Sequence, residues 1–243
     1  IELVHHGDLP AQSGLGSSST FTVGMLSAAY ALNHQMPSKY QLARDAIVIE
    51  QQRIGEAVGS QDQTAAAFGG FNKISFGGYR EVEVTPLIIS NEKMENLQNH
   101  LMLFFTGFSR NASDIAQKQI EITGSKIKEL DLMVELCKEA EDLLVSSEAG
   151  FLEWGSLLNE QWKIKKSMTN LITSPKINDM YEKGISAGAL GGKLLGAGGG
   201  GFMLFFVPPE KQKNLKKSLD NILHVPFKFD FSGSQIVYFS NHD

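Results

Sequence analysis

Pro10-Ala11-Gln12-Ser13-Gly14-Leu15-Gly16-Ser17-Ser18-Ser19-Thr20 decides how the rest of the chain is read. A strand-like run, Ile1 to His6, precedes it, and a run with apolar residues at helical spacing, Phe21 to Leu32, comes after it. A glycine-rich loop feeding a helix start is an anion site. The first amides of a helix have no acceptor inside it, and the helix dipole adds partial positive charge there. Gly14 and Gly16 carry no Cβ, so the backbone can approach a phosphate closely and adopt positive φ. Of the hydroxyls next in the chain, one can cap the helix and another can reach a phosphate-bound metal ion. Ordinary capping of a surface helix uses the same residues, so the loop alone leaves both readings open. No Lys comes after Gly16, which separates this loop from the GxxxxGK[ST] type.

The chain has 243 residues, enough for one large domain or two ordinary ones. Apolar residues make up 42% and charged residues 20%, a globular composition that supports a core. A net charge of −5 excludes the broad basic footprint of general nucleic-acid or anionic-membrane binding. It does not exclude a nucleotide, because a loop, a helix end and a divalent cation supply local positive potential. The single cysteine, Cys137, cannot form an internal disulfide; it is read as a core residue and fits a reducing, cytoplasmic setting. No apolar run approaches the roughly 18 residues of a membrane span, and no signal peptide is legible. Because the chain opens on Ile1 within a strand pattern, the expectation is that an N-terminal part of the natural protein is missing.

The pattern predicts a first helix from Ser17 to about His34, with Phe21, Met25, Ala28, Ala29 and Leu32 on one face, and a second from Lys39 to Ile54. Ser38 and Gln41 form a capping-box pattern at its start. A loop with a short helix spans 55–70, and Gly77-Gly78 joins two strands, Phe71 to Phe76 and Arg80 to Val84. Asn91 to Gln98 is polar with no apolar period and is the candidate boundary between domains 1–95 and 96–243. Leu101 to Thr106 reads as a buried strand, and helices then run to about Thr169, with Leu130, Met133, Cys137, Ala140 and Leu144 as one stripe. Ser174-Pro175 opens another helix. Phe202 to Val207 is a strand, a polar helix runs from Pro208 to Ile222, and Val225 to Phe229 and Ser234 to Phe239 read as closing strands. The whole is an α+β fold.

Two further loops carry candidate chemistry. Gly59-Ser60-Gln61-Asp62-Gln63 places a carboxylate among small residues, with room for a substrate whose hydroxyl Asp62 could orient or deprotonate. The plainer alternative is a helix cap or Asx turn. Glu50, twelve residues before Asp62, falls on or beside an apolar helix face and could share a Mg²⁺ with a loop serine. Gly191 to Gly201 holds seven glycines in eleven residues. Its GxGxxG match opens a strand rather than a helix, so a tight loop against another backbone or a ligand is expected rather than a dinucleotide fold. Lys193 could meet phosphate or extend to solvent. Arg110 is a candidate for an anionic substrate group. Lys163, Lys165 and Lys166 read as a solvated helix face, and Trp154 and Trp162 as packing residues. His5 and His6 alternate across a strand and are not read as metal ligands.

Taken in order, PxxxGLGSSS, a Glu, a small-residue loop with Asp-Gln, and GKLLGAGGGG before a strand resemble the GHMP small-molecule kinases. Gly59 to Asn72 and Gly188 to Gly196 are most similar to its D-glycero-D-manno-heptose 7-phosphate kinases. The resemblance implies a ribosomal-protein-like N-terminal domain, truncated here, and a ferredoxin-like C-terminal domain. It implies ATP and Mg²⁺ as cofactors and phosphorylation of the anomeric hydroxyl of a heptose 7-phosphate to the 1,7-bisphosphate. Pro10, Ser13, Gly14, Leu15, Gly16, Ser17, Ser18 and Ser19 would wrap the ATP phosphates. Ser18 and Glu50 would hold Mg²⁺, and Asp62 would be the base or orient the attacking hydroxyl. Gly198 and Gly199 would shape the substrate region, and Arg110 would hold the 7-phosphate. A sugar phosphate, with no nucleic acid or membrane, is the implied partner, with a homodimer in the cytoplasm. Fucokinase-like or galactokinase-like activity and a silent nucleotide sensor are the alternatives. Nothing here matches the family's Gly-Gly-Gly-Thr-Asp-like sugar motif or the basic residue of its N-terminal segment, so the expectation is an inactive or incomplete piece of the enzyme.

Overall fold

The apolar run at 101–105 and its partner at 202–206 form the centre of the larger core, which lies in the C-terminal half. A computed structural model describes residues 2–8, 14–77, 81–107, 112–146 and 151–240. Its N-terminal part consists of helices α1 (Ser17–Leu32), α2 (Lys39–Val48) and α3 (Gln61–Phe68) and a hairpin of β1 (Asn72–Phe76) and β2 (Val82–Pro86). Helix α2 starts where Ser38 Oγ accepts from the Gln41 amide at 3.1 Å. It runs on into a π-helical turn, Ile49–Ile54, that Gly55 ends in the left-handed conformation (φ +78°). Val23, Leu42, Ala43, Ala46 and Ala67 form a small core among the three helices.

Helix α4 (Asn91–His100) leads into β3 (Leu101–Phe105), and then come α5 (Ala112–Ile122), α6 (Ile127–Val145), α7 (Phe151–Met168) and α8 (Pro175–Ser186). Strands β4 (Gly191–Leu194) and β5 (Phe202–Phe206), helix α9 (Gln212–Ser218) and the short β6 (His224–Val225) complete the chain. The sheet order is β4-β5-β3-β6, every pair antiparallel. Taken by chain order within the sheet this is 2-3-1-4, with helices after the first and third strands, which is the ferredoxin-like arrangement. Phe104, Phe205, Met203, Leu194, Trp162 and Ile172 anchor the core between sheet and helices, each no more than 1% exposed.

Five expectations need correction. Residues 2–7 form no strand; Leu3 and Val4 stay exposed, and a strand without a hydrogen-bonded neighbour is not stable. The buried face of α1 carries Ser19 and Val23, while Phe21 and Leu32 are exposed. The expected strand from Val225 to Phe229 shrinks to the two residues of β6, and the boundary stretch Asn91 to Gln98 is helical, capped by Ser90, with fully buried Leu97 packed with Leu144, Leu158 and Phe206. Cys137 is exposed on α6. Residues 234–239 form no strand, and Val237 and Tyr238 lie open to solvent.

Candidate functional site

The first turn of α1 comes after two glycines in the left-handed region, Gly14 (φ +78°) and Gly16 (φ +71°). Gly16 is the residue that precedes the helix, no side chain among the described residues caps this end, and no acidic residue lies in the first turn. The opening amides of α1 therefore keep their donors for an external acceptor, which is the condition for anion binding. The expected hydroxyl cap is absent because the hydroxyls are directed elsewhere. Ser19 Oγ donates to Glu50 Oε2 at 2.8 Å, whereas the Ser18 side chain is exposed.

Glu50 enters on the π-helical turn and is 1% exposed. Such turns bulge one residue out of helical register, and here the bulge turns a carboxylate inward. Its Oε2 accepts from both Ser19 and Gln63 Nε2. Its Oε1 is buried with no partner. A buried, unpartnered carboxylate oxygen is unfavourable unless something positive meets it. Hard oxygen donors of this kind suit Mg²⁺, which keeps several other ligands from water and phosphate. No cluster of three His, Cys, Asp or Glu side chains exists among the described residues, so a metal here would rely on hydroxyls and phosphate oxygens for its remaining ligands. Gln63, whose own Oε1 is likewise buried and unpartnered, is the site residue that sequence reasoning missed; its only signal was adjacency to Asp62.

Asp62 stands in the first turn of α3. A Cβ placed on Gly16 would lie 3.0 Å from Asp62 Cγ and 3.2 Å from Oδ2, so the carboxyl group rests directly on the phosphate loop. The residue as a whole is exposed, yet its carboxyl group is closely surrounded. That burial raises its pKa above the ordinary aspartate value, and the charge of Glu50 raises it further. A carboxylate with raised basicity, next to an uncapped helix start, is well suited to accept a proton from a hydroxyl.

The second glycine loop meets the first. A Cβ on Gly196 (φ +68°) would lie 2.8 Å from Gly14 Cα, and one on Gly14 would lie 3.3 Å from Leu195 O. The expected backbone-to-backbone packing is present, with Gly196 exposed at the contact. Gly198 and Gly199 are buried: a Cβ on Gly198 would lie 2.9 Å from Ile172 Cα, and the Gly199 amide donates to Ile172 O at 2.8 Å. These two glycines, expected to shape the substrate region, thus lie against the Ile172 backbone. Lys193 is half-buried and donates to Gln161 Oε1 at 2.7 Å. Lys165, read as solvated, instead reaches Leu194 O and Gly196 O. Pro10, Ser13 and Arg110 lie outside the described residues.

A cavity of about 590 Å³ adjoins the start of α1, lined by Leu3, Val4, His5, Phe21, Met25 and Ala28 among others. It absorbs the face of α1 that the sequence assigned to the core and supplies an apolar wall beside the anion site, suited to a flat ring. A second cavity, about 390 Å³ between α8 and the segment after α9, touches neither carboxylate nor the phosphate loop.

Comparison with known proteins agrees with this geometry. Residues 1–70 match the family model of the GHMP kinases N terminal domain, and residues 147–224 match that of the GHMP kinases C terminal domain. A D-glycero-alpha-D-manno-heptose 7-phosphate kinase of Campylobacter jejuni is 36% identical over 217 residues, covering 88% of this chain and 63% of the relative. A bifunctional fucokinase/GDP-fucose pyrophosphorylase of Arabidopsis thaliana is 28% identical, over 88% of this chain and 20% of the relative. The crystal structure of a D-glycero-D-manno-heptose 1-phosphate kinase of Bacteroides thetaiotaomicron superposes with a TM-score of 0.66 at 29% identity, over 97% of this chain and 67% of the other. The chain thus spans less than two thirds of the curated relatives it matches. With the N-terminal and C-terminal family domains both matched, in order, this chain belongs to the GHMP kinases.

Proposed function

We propose that the chain is an ATP-dependent, Mg²⁺-dependent sugar-phosphate kinase, transferring the γ-phosphoryl group to the anomeric hydroxyl of D-glycero-D-manno-heptose 7-phosphate to give the 1,7-bisphosphate. The observation that carries this reading is Asp62 resting on Gly16, a proton acceptor against the loop that would hold the transferred phosphate. The amides opening α1 bind the phosphate oxygens, with Pro10 and Ser13 completing the loop, and the apolar cavity beside α1 takes the base. Glu50, with its unpartnered Oε1, and the hydroxyls of Ser18 or Ser19 hold Mg²⁺. The ion, when bound, neutralises charge on the phosphate oxygens.

The sugar oxygen forms its bond to the γ-phosphorus as the bond to the β–γ bridging oxygen breaks, and ADP leaves with that oxygen. The hydroxyl proton passes to the Asp62 carboxylate. Little covalent chemistry falls to the protein; positioning and electrostatic stabilisation supply most of the acceleration. Arg110 contributes to binding the 7-phosphate. A cytoplasmic location and a homodimer belong to the same reading; no helix of the described residues is long and apolar enough to cross a membrane.

ADP release measured with heptose 7-phosphate, fucose, galactose and mevalonate as acceptors tests the assignment. Turnover at least about tenfold higher with the heptose phosphate is expected, since a site built for a charged group rejects acceptors that lack it. Higher turnover with an unphosphorylated sugar contradicts the substrate assignment. Release of ADP with none of the acceptors contradicts the kinase reading itself.

A further inference from the structure

We propose that Lys165, a residue outside the phosphate loop and both carboxylates, is a positioning residue for phosphoryl transfer: it holds the second glycine turn by its carbonyls, and that turn holds the phosphate loop at Gly14. The inference rests on the kinase reading above.

Lys165 lies near the end of α7, and its Nζ is 2.5 Å from Gly196 O and 3.3 Å from Leu194 O. From another helix, α5, Gln119 Nε2 donates to Ala197 O at 2.7 Å. Three carbonyls at the exit of β4 are therefore turned toward side chains of the C-terminal half. The opposite side of the same turn lies on Gly14, so closely that any Cβ at Gly196 would overlap its backbone. Gly14 is two residues before Gly16, against which Asp62 rests. Lys165, Gly196, Gly14, Gly16 and Asp62 thus form a short chain of direct backbone and side-chain contacts across the two halves of the molecule.

The ammonium group is in an unfavourable place for stability alone. No carboxylate pairs with Lys165 or Lys193 among the described residues. Burial pushes Lys165 down to about 7, and the charge of Lys193 adds to the effect. An apolar side chain of similar length would avoid that penalty, so folding alone gives no reason for a lysine here. What an apolar side chain cannot do is bond the Leu194 and Gly196 carbonyls at once, and without that bond the glycine turn is free to relax. Glycine-rich backbone has the most freedom to do so. A shift of about 1 Å at a positioning group can lower turnover about a hundredfold.

Two variants and two readouts decide the question. Lys165→Met is expected to lower kcat about 10- to 100-fold while KM for the sugar phosphate stays within about threefold, the signature of a lost transition-state alignment. Lys165→Arg keeps donors for both carbonyls and is expected to recover most of the rate. Hydrogen exchange reads the contact without catalysis: in Lys165→Met the amides of both 194–199 and 14–19 should exchange faster than in the parent. Unchanged kcat overturns the proposal. So does a raised KM with kcat retained, which would make Lys165 a direct substrate ligand. Faster exchange confined to 194–199 also overturns it, because the turn would then not hold the phosphate loop. A parent protein that transfers no phosphoryl group contradicts the kinase reading instead, and the exchange result still decides whether the tether exists.

Discussion

Two glycine turns touch at Gly14 and Gly196, and they treat their backbones in opposite ways. The first runs into a helix and, among the described residues, leaves its end without a side-chain cap, with Ser18 exposed. The second runs into β5 and turns inward. Gly199 N–H goes to Ile172 O, Gly201 N–H to Thr106 Oγ1, and the carbonyls of Leu194, Gly196 and Ala197 go to Lys165 and Gln119. Similar composition gives one loop that offers donors and one that forms a wall, and the difference lies in the element each loop enters. A helix start leaves amides without acceptors, whereas a strand start directs them into the sheet and its neighbours. In the proposed reading the first loop is accordingly the anion site, and the second is the support that fixes it.

The largest expected effect is at the carboxylate resting on the first loop. Asp62→Asn should lower kcat about 10²- to 10⁴-fold, the usual contribution of a positioned general base. The same change should raise the melting temperature at pH 7. The folded-state pKa of Asp62 lies above the ordinary aspartate value, first because burial disfavours the charge and then because Glu50 is near. The folded protein therefore binds the proton more tightly than the unfolded chain, and stability falls as pH rises from the unfolded value through the raised one. The neutral amide removes that loss. An Asn variant with full turnover would remove Asp62 from the mechanism.

Next come two matched glycine substitutions that separate offering donors from forming the wall. Gly16→Ala places a methyl 3.0 Å from Asp62 Cγ at φ +71°, and turnover should fall more than about tenfold through the displaced carboxylate. Gly198→Ala places one 2.9 Å from Ile172 Cα at φ +120°, and here the fold should lose about 1–3 kcal/mol with little change in kcat of the folded fraction. Thermal melts and initial rates on both variants suffice. If Gly198→Ala is the catalytically impaired one at unchanged stability, the roles of the two loops are reversed. Last comes Ser19, whose hydroxyl donates to Glu50. Its Ala variant should lose about 1.5–3 kcal/mol of a charge-assisted hydrogen bond and shift the Mg²⁺ dependence of the rate. An unchanged Mg²⁺ dependence would leave Ser18 as the metal's hydroxyl ligand.

Much of the fold is set by local pattern. Ser38 before Gln41, Ser174 before Pro175 and the apolar runs at 101–105 and 202–206 each specify their element through capping or burial over a few residues. β4 was missed because Gly191-Gly192 has poor strand propensity. Its glycines serve approach rather than propensity, since a Cβ on Gly191 would lie 1.9 Å from Gly155 O. Residues 234–239 alternate like a strand, but alternation supplies no partner. Of the candidate site, Glu50 and Asp62 were legible because carboxylates beside apolar or small residues are out of place. Lys165 was not, because its carbonyl partners are 29 and 31 positions away and only the fold brings them together.

The most direct test of the anion site is the structure of the protein with a non-hydrolysable ATP analogue and Mg²⁺. The phosphates are expected on the amides of Ser17 to Ser19, the metal within coordination distance of Glu50 Oε1, and Asp62 facing the γ-phosphate. An analogue bound elsewhere, or a first turn of α1 filled by one of the protein's own side chains, would contradict the anion site and the kinase reading with it.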